Sequence, residues 1–221
     1  MIVLTQAPGI KISIRPQVRP SNLVRTRVAI PAAPATLPVS TPVAATASGS
    51  ICGIRAIKGQ NLQPIPGKLS GCGVTSPVRV SSVAGVALSQ GAIMDCTTAK
   101  ALNNWVKNSV KPIVGRLGGG ATSLQVIAHY SCRTRNSKPG AKISEHGKGH
   151  AIDISAINLK NGSSLTVLSG WRKNAEGKLL KSLHRAACGP FGTVLGPNAD
   201  RHHQDHFHLD TARYRSGSYC R

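Results

Sequence analysis

Two short stretches hold most of the chemistry-bearing side chains of this 221-residue chain. The first is Ser144-Glu145-His146-Gly147-Lys148-Gly149-His150-Ala151-Ile152-Asp153. The second is Asp200-Arg201-His202-His203-Gln204-Asp205-His206-Phe207-His208-Leu209-Asp210. Five of the 7 acidic residues and six of the 8 histidines fall in them, in a chain of net charge +21. That concentration points to metal ligands and acid–base groups. A catalytic zinc takes three protein ligands and leaves a fourth position for water. His146, Asp153 and one histidine of the second stretch supply such a set. A gap of seven residues does not close on one strand face. It closes if His146 sits on a turn, freed by Gly147 and Gly149, with Asp153 on the strand behind it. Asp205, three positions before His208, is the candidate base for the attacking water. Arg133, at the end of a neighbouring strand, is placed to stabilise a developing oxyanion.

The remaining histidines and acids have plainer readings. His202 and His203 read as a solvated loop, following the exposure habits of histidine. His150 points away from a shared site if its segment is a strand. His129 and His184 are isolated and read as structural. Asp200 and Asp210 orient or cap, and Glu145 faces opposite His146 in an extended chain.

The elements that must position these groups read as a mixture of strands and helices without a βαβ rhythm, hence α+β with an antiparallel sheet. Val78-Arg79-Val80 and Val83–Leu88 are short strands. Asp95 is an N-cap. Behind it Ala101, Leu102, Trp105, Val106 and Val110 recur at helical spacing up to Pro112, with Trp105 as core. Leu124–Tyr130 is a buried strand, and a basic loop follows over 134–143. Ala151–Ile157 carries Asp153 inward. Leu165–Leu168 is a strand after the Asn161-Gly162 turn. Leu179, Leu180, Leu183 and Ala187 mark a helix ended by Gly189-Pro190. His206–Asp210 is a last strand with His206, His208 and Asp210 on one face.

Residues 1–49 hold seven of the 14 prolines, five basic residues and no acid, which predicts a disordered basic tail or linker ahead of a domain over 50–221. No apolar run approaches the ~20 residues of a membrane span. The first residues make a poor secretory signal. A charge of +21 needs an anionic counterpart: nucleic acid, a lipid surface or a polyanionic wall. Aromatics at 3% leave little for base stacking, so no specific nucleic acid is expected. The six cysteines lack any Cys-x-x-Cys pair, which argues for three disulfides and an oxidising compartment, periplasmic or extracellular.

Ser144-x-His146-x-x-Gly149-x-Ala151-x-Asp153 resembles the SxHxxGxAxD motif of zinc D,D-peptidases of the vancomycin-resistance type. Those enzymes are grouped with lysostaphin and the hedgehog signalling domain. The 50–221 region is similar to the extensin-like C-terminal domain family of bacteria. The likeness is carried by Cys132-Arg133, the motif above, Ala187-Cys188-Gly189-Pro190-Phe191, Thr193-Val194-Leu195-Gly196-Pro197 and Asp205-His206-Phe207-His208. The resemblance implies a hedgehog/D-Ala-D-Ala-peptidase-like domain, with a small antiparallel sheet and flanking helices. It implies His146, Asp153 and His208 as zinc ligands and Asp205 as general base. Arg133 would polarise the substrate, Ser144 would lie near it, and His206 would assist or support a ligand. Chain proximity and this expected fold suggest disulfides Cys52–Cys72, Cys96–Cys132 and Cys188–Cys220.

The expected function is a monomeric zinc peptidase acting on peptidoglycan stem peptides or crosslinks. The rivals are a wall-binding module that keeps the metal site, a basic nucleic-acid binder, and a two-histidine-one-carboxylate iron oxygenase. In the last, the first histidine and the acid normally lie almost adjacent.

Overall fold

The computed structural model describes residues 49–214 and 216–221. The tail expected over 1–49 lies outside the described residues except for Gly49, which opens the first strand. In chain order the strands are β1 Gly49–Ile51, β2 Ile54–Asn61, β3 Ile65–Pro66, β4 Gly73–Val74, β5 Val78–Val83 and β6 Val86–Met94. They continue with β7 Ala121–Ala128, β8 Ala151–Leu159, β9 Ser164–Thr166, β10 Thr193–Leu195, β11 Phe207–Asp210 and β12 Tyr219–Cys220. The helices are α1 Cys96–Trp105, α2 Lys111–Val114, α3 Val167–Gly170 and α4 Asn174–Ala187.

The α+β class holds, but the sheet is neither small nor purely antiparallel. Among the described residues it has ten strands, in the order β1-β2-β5-β6-β7-β8-β11-β10-β12 with β9 paired to β8. β6 runs parallel to β7, and β10 parallel to β12. The long helical crossover from β6 to β7 allows the first parallel pair, since a tight hairpin cannot join parallel strands. The run Val83–Leu88, expected as one strand, contains a hairpin tip instead. Ala84 and Gly85 turn there at φ 49° and 81°, the positive-φ pair that a two-residue hairpin needs. Leu165–Leu168 likewise splits, because strand β9 gives way to α3 at Val167.

Asp95 caps α1 as expected, its carboxylate accepting from the Thr98 N–H at 2.7 Å. Asp95→Ala is expected to cost about 1 kcal/mol, measured as a lower midpoint in chemical denaturation with an unchanged slope. The helix does not stop at Pro112. A π-helical turn over Val106–Val110 leads into α2, with proline in its first turn, and Gly115 ends it at φ 55°. Widening the turn relieves the clash of the proline ring with the preceding carbonyl, which would otherwise break the helix. Ala99, Leu102, Trp105, Val106, Val110 and Val114 form one buried stripe. Trp105 is fully buried and donates its indole N–H to the Leu183 carbonyl of α4 at 3.0 Å, so its role is packing.

Three disulfides close the fold: Cys52–Cys96, Cys72–Cys132 and Cys188–Cys220. Only the last follows chain proximity. Between Cys52 and Cys72 the chain runs out along β2 and into the β3–β4 ribbon. That carries Cys72 to the far end of β7, beside Cys132, and leaves Cys52 against the start of α1. Among the described residues, no helix is long and apolar enough to cross a membrane.

Candidate metal centre

The first stretch folds as the site requires. Ser144 leads into a 3-10 turn over Glu145–Lys148, and Gly149 ends it in the left-handed region at φ 74°. A side chain at Gly149 would meet a Val74 methyl at 2.7 Å, so both conformation and space demand glycine. The turn is tied to the segment after β7: Ser131 N–H donates to the His146 carbonyl at 3.1 Å, and Ser144 N–H to the Arg133 carbonyl at 3.0 Å. β8 starts immediately afterwards and pairs with β11 in a register that sets Asp153 opposite His208.

His146, Asp153 and His208 thereby converge, all three buried. One ligand atom from each lies within 4.8 Å of the others. His146 Nε2 is 3.1 Å from Asp153 Oδ2, His208 Nδ1 is 2.9 Å from Asp153 Oδ1, and the two ring nitrogens are 3.2 Å apart. The opposite nitrogen of each ring is committed. His146 Nδ1 is 2.9 Å from the His129 carbonyl, and His208 Nε2 is 3.0 Å from Asp210 Oδ2. A carbonyl and a carboxylate accept only, so those nitrogens carry the hydrogens. His146 Nε2 and His208 Nδ1 both face Asp153. As donors they pair with its carboxylate, and once they give up those hydrogens the three side chains form the donor set of a two-histidine-one-carboxylate metal site with its orienting partners in place. This group can hold a metal ion.

The electrostatics describe the protonated cluster, whose hydrogens a bound metal would displace. Burial alone would raise the Asp153 carboxyl, but hydrogen bonds from His146 and His208 outweigh it and hold the group well below the usual carboxylate range. Burial works against a charged His208, yet Asp153 and Asp210 push it up to about 9. Asp210 fixes the His208 ring through Nε2, and its other oxygen accepts from Ala212 N–H at 3.0 Å.

The cluster lies at a cleft of about 340 Å³, whose walls include Arg133, Arg135, Ser144, Asp200, His203 and Tyr214. Arg133 and Ser144 thus line the same cleft as the cluster, although β7 ends at Ala128 and Arg133 lies in the segment beyond it rather than at the strand's end. Asp205 does not line the cleft. Its side chain is 56% exposed and accepts from His206 Nδ1 at 2.8 Å. His206 precedes β11 rather than opening it, and its Nε2 reaches to 3.6 Å from Asp153 Oδ2.

The sequence of the extensin-like protein C-terminus family matches residues 53–221. The chain belongs to that family. No curated protein and no solved structure matches it.

Two groups were misread from sequence. In this extensin-like domain His202 borders the cleft but is exposed in a turn, as expected of a solvated loop, whereas His203 forms part of the cleft wall and is not solvated. The His203 side chain is 13% exposed, and its ring sits edge-on to His208 with centroids 5.7 Å apart. Burial lowers its pKa despite a hydrogen bond with Asp200. Glu145 is outside the ligand set, as expected, but it is buried and central to a network. It accepts from Lys148 at 2.9 Å, from His150 at 3.0 Å and from the Tyr214 hydroxyl. Burial opposes its charge, and these bonds still bring it down to about 2. The histidine-rich composition of 202–208 was the one available signal for His203. No sequence signal marks the backbone carbonyl of His129.

Proposed function

We propose that this protein is a zinc-dependent peptidase that hydrolyses amide bonds in peptidoglycan stem peptides or crosslinks. The observation that carries the reading is the buried His146–Asp153–His208 cluster, with the second nitrogen of each histidine held by His129 or Asp210. Two histidines and one carboxylate suit zinc and leave a position open. Zinc there supplies Lewis acidity, lowering the pKa of a water and polarising a carbonyl. Arg133 and Ser144 hold the peptide beside the cluster, and the Asp205–His206 pair orders the side facing Asp153. Three disulfides support an oxidising compartment, periplasmic or extracellular, where the wall lies. A net charge of +21 draws the chain to a polyanionic wall.

One observation favours the rival reading of a wall-binding module. The acid expected as base, Asp205, points its carboxylate at His206 rather than into the cleft. A single experiment separates the two. Purified protein is assayed for bound metal and incubated with isolated peptidoglycan, with and without chelator, and the muropeptides are separated. The peptidase gives new muropeptides that vanish with chelator and return with zinc. One equivalent of metal with no product in any condition leaves the binding module standing. A protein that retains no metal sinks both.

A further inference from the structure

Outside the ligand cluster, one cleft-facing side chain is held firmly by its neighbours and keeps one ring nitrogen free of any partner among the described residues. His203 Nδ1 is 2.8 Å from Asp200 Oδ1. An ionised carboxylate only accepts, so Nδ1 carries the hydrogen and Nε2 keeps a lone pair. Asp200 is itself fixed: its Oδ1 accepts from His202 N–H at 2.7 Å, and its carbonyl accepts from the Gln204 amide at 2.7 Å. The same amide donates to the Pro197 carbonyl at 2.8 Å, which knits the 197–204 loop together. The ring is wedged between His206 and His208, with centroids 5.2 Å and 5.7 Å away. Its Nε2 meets no protein partner among the described residues, in a side chain only 13% exposed that lines the cleft. Among the described residues the buried side-chain atoms without a partner are Asn103 Oδ1 and His129 Nδ1, so His203 Nε2 is open to solvent and to a ligand. Here the cleft is the one side left open to it.

We infer that His203, held by Asp200, is a substrate-contacting catalytic residue of this cleft, its Nε2 accepting a hydrogen bond from the group that reacts there. The inference rests on the peptidase reading and deepens it. It supplies the cleft-facing acceptor that Asp205 does not, on a wall lined by Asp200, His202 and His203 rather than on the Arg133 wall. Asp200 acts through His203 and is a positioning residue.

The test compares His203→Ala, Asp200→Asn and the unmodified protein, each loaded with zinc and checked for metal content and melting temperature. Turnover is followed on isolated peptidoglycan. Long-range proton–nitrogen spectra of the imidazoles are recorded with and without a soluble disaccharide-pentapeptide. With metal content unchanged, His203→Ala is expected to lower kcat by on the order of 10²-fold or more. Asp200→Asn is expected to lower it by about 10-fold or more, as losing an orienting partner does. The unmodified protein should show His203 as the Nδ1–H tautomer, and the muropeptide should shift its Nε2 signal. His203→Ala with full metal and turnover near that of the unmodified protein overturns the inference, and so does an Nε2 signal that saturating muropeptide leaves in place. If the unmodified, zinc-loaded protein forms no product, the peptidase reading is what fails. The Nε2 shift then still decides whether His203 touches the bound wall peptide.

Discussion

Asp153→Asn should reduce bound metal from about one equivalent to none, by competition with a chelator and by elemental analysis. Asp153 is the only carboxylate in the ligand cluster, and it accepts from both histidines, at 3.1 Å and 2.9 Å. Asparagine keeps the shape but loses the charge that zinc needs. His146→Ala and His208→Ala should do the same. Asp210→Asn should do less, because Asp210 touches only His208 Nε2 and orients that ring. Loss of such a partner typically weakens metal affinity by about 10–100-fold. That ordering, total loss at the three ligands and partial loss at Asp210, is the signature of the site. Metal content unchanged in Asp153→Asn would remove the cluster from consideration. The metal-free variant should also be less stable, because the buried His208 keeps its affinity for a proton and loses one of its two acids. Breaking a buried pair on one side commonly costs about 3–5 kcal/mol.

The second large effect is expected at Cys72–Cys132. Replacing both residues by serine should cost about 4 kcal/mol on the chain-entropy estimate for a sequence separation of 60. It should also weaken metal binding, which an entropic cross-link alone would not do. The link underlies the turn that carries His146: a side chain placed on Gly147 would meet Cys72 Sγ at 3.0 Å. The chain leaving Cys132 continues into Arg133, whose carbonyl holds Ser144. The control is Cys188–Cys220, with a separation of 32 and an estimated cost close to the first. It should lower the melting temperature by a similar amount and leave metal affinity much closer to normal. Equal losses of affinity in both double variants would mean that the disulfides act only on global stability.

The fold was legible in sequence where a local signal decides. Asp95 as N-cap, the apolar stripe of α1 and the strand carrying Asp153 all follow from side-chain chemistry and period. It was illegible where distant segments compete for a partner. The parallel β6–β7 pairing, the hairpin tip inside Val83–Leu88 and two of the three disulfides depend on where the chain returns in space.

The site divides along the same line. The sequence by itself determined which residue types could form a metal site, because scarce histidines and acids gathered in two stretches of a basic chain, with glycines where the first must turn. Tertiary structure alone decided which of them meet. The β8–β11 register sets His208 opposite Asp153, the His129 carbonyl and Asp210 settle which ring nitrogens face inward, and the 197–204 loop turns His203 into the cleft while Asp205 pairs with His206 outside its lining. A hydrogen-bonding direction belongs to a pair of groups. In this chain the pairs form between segments tens of residues apart, and no local pattern encodes them.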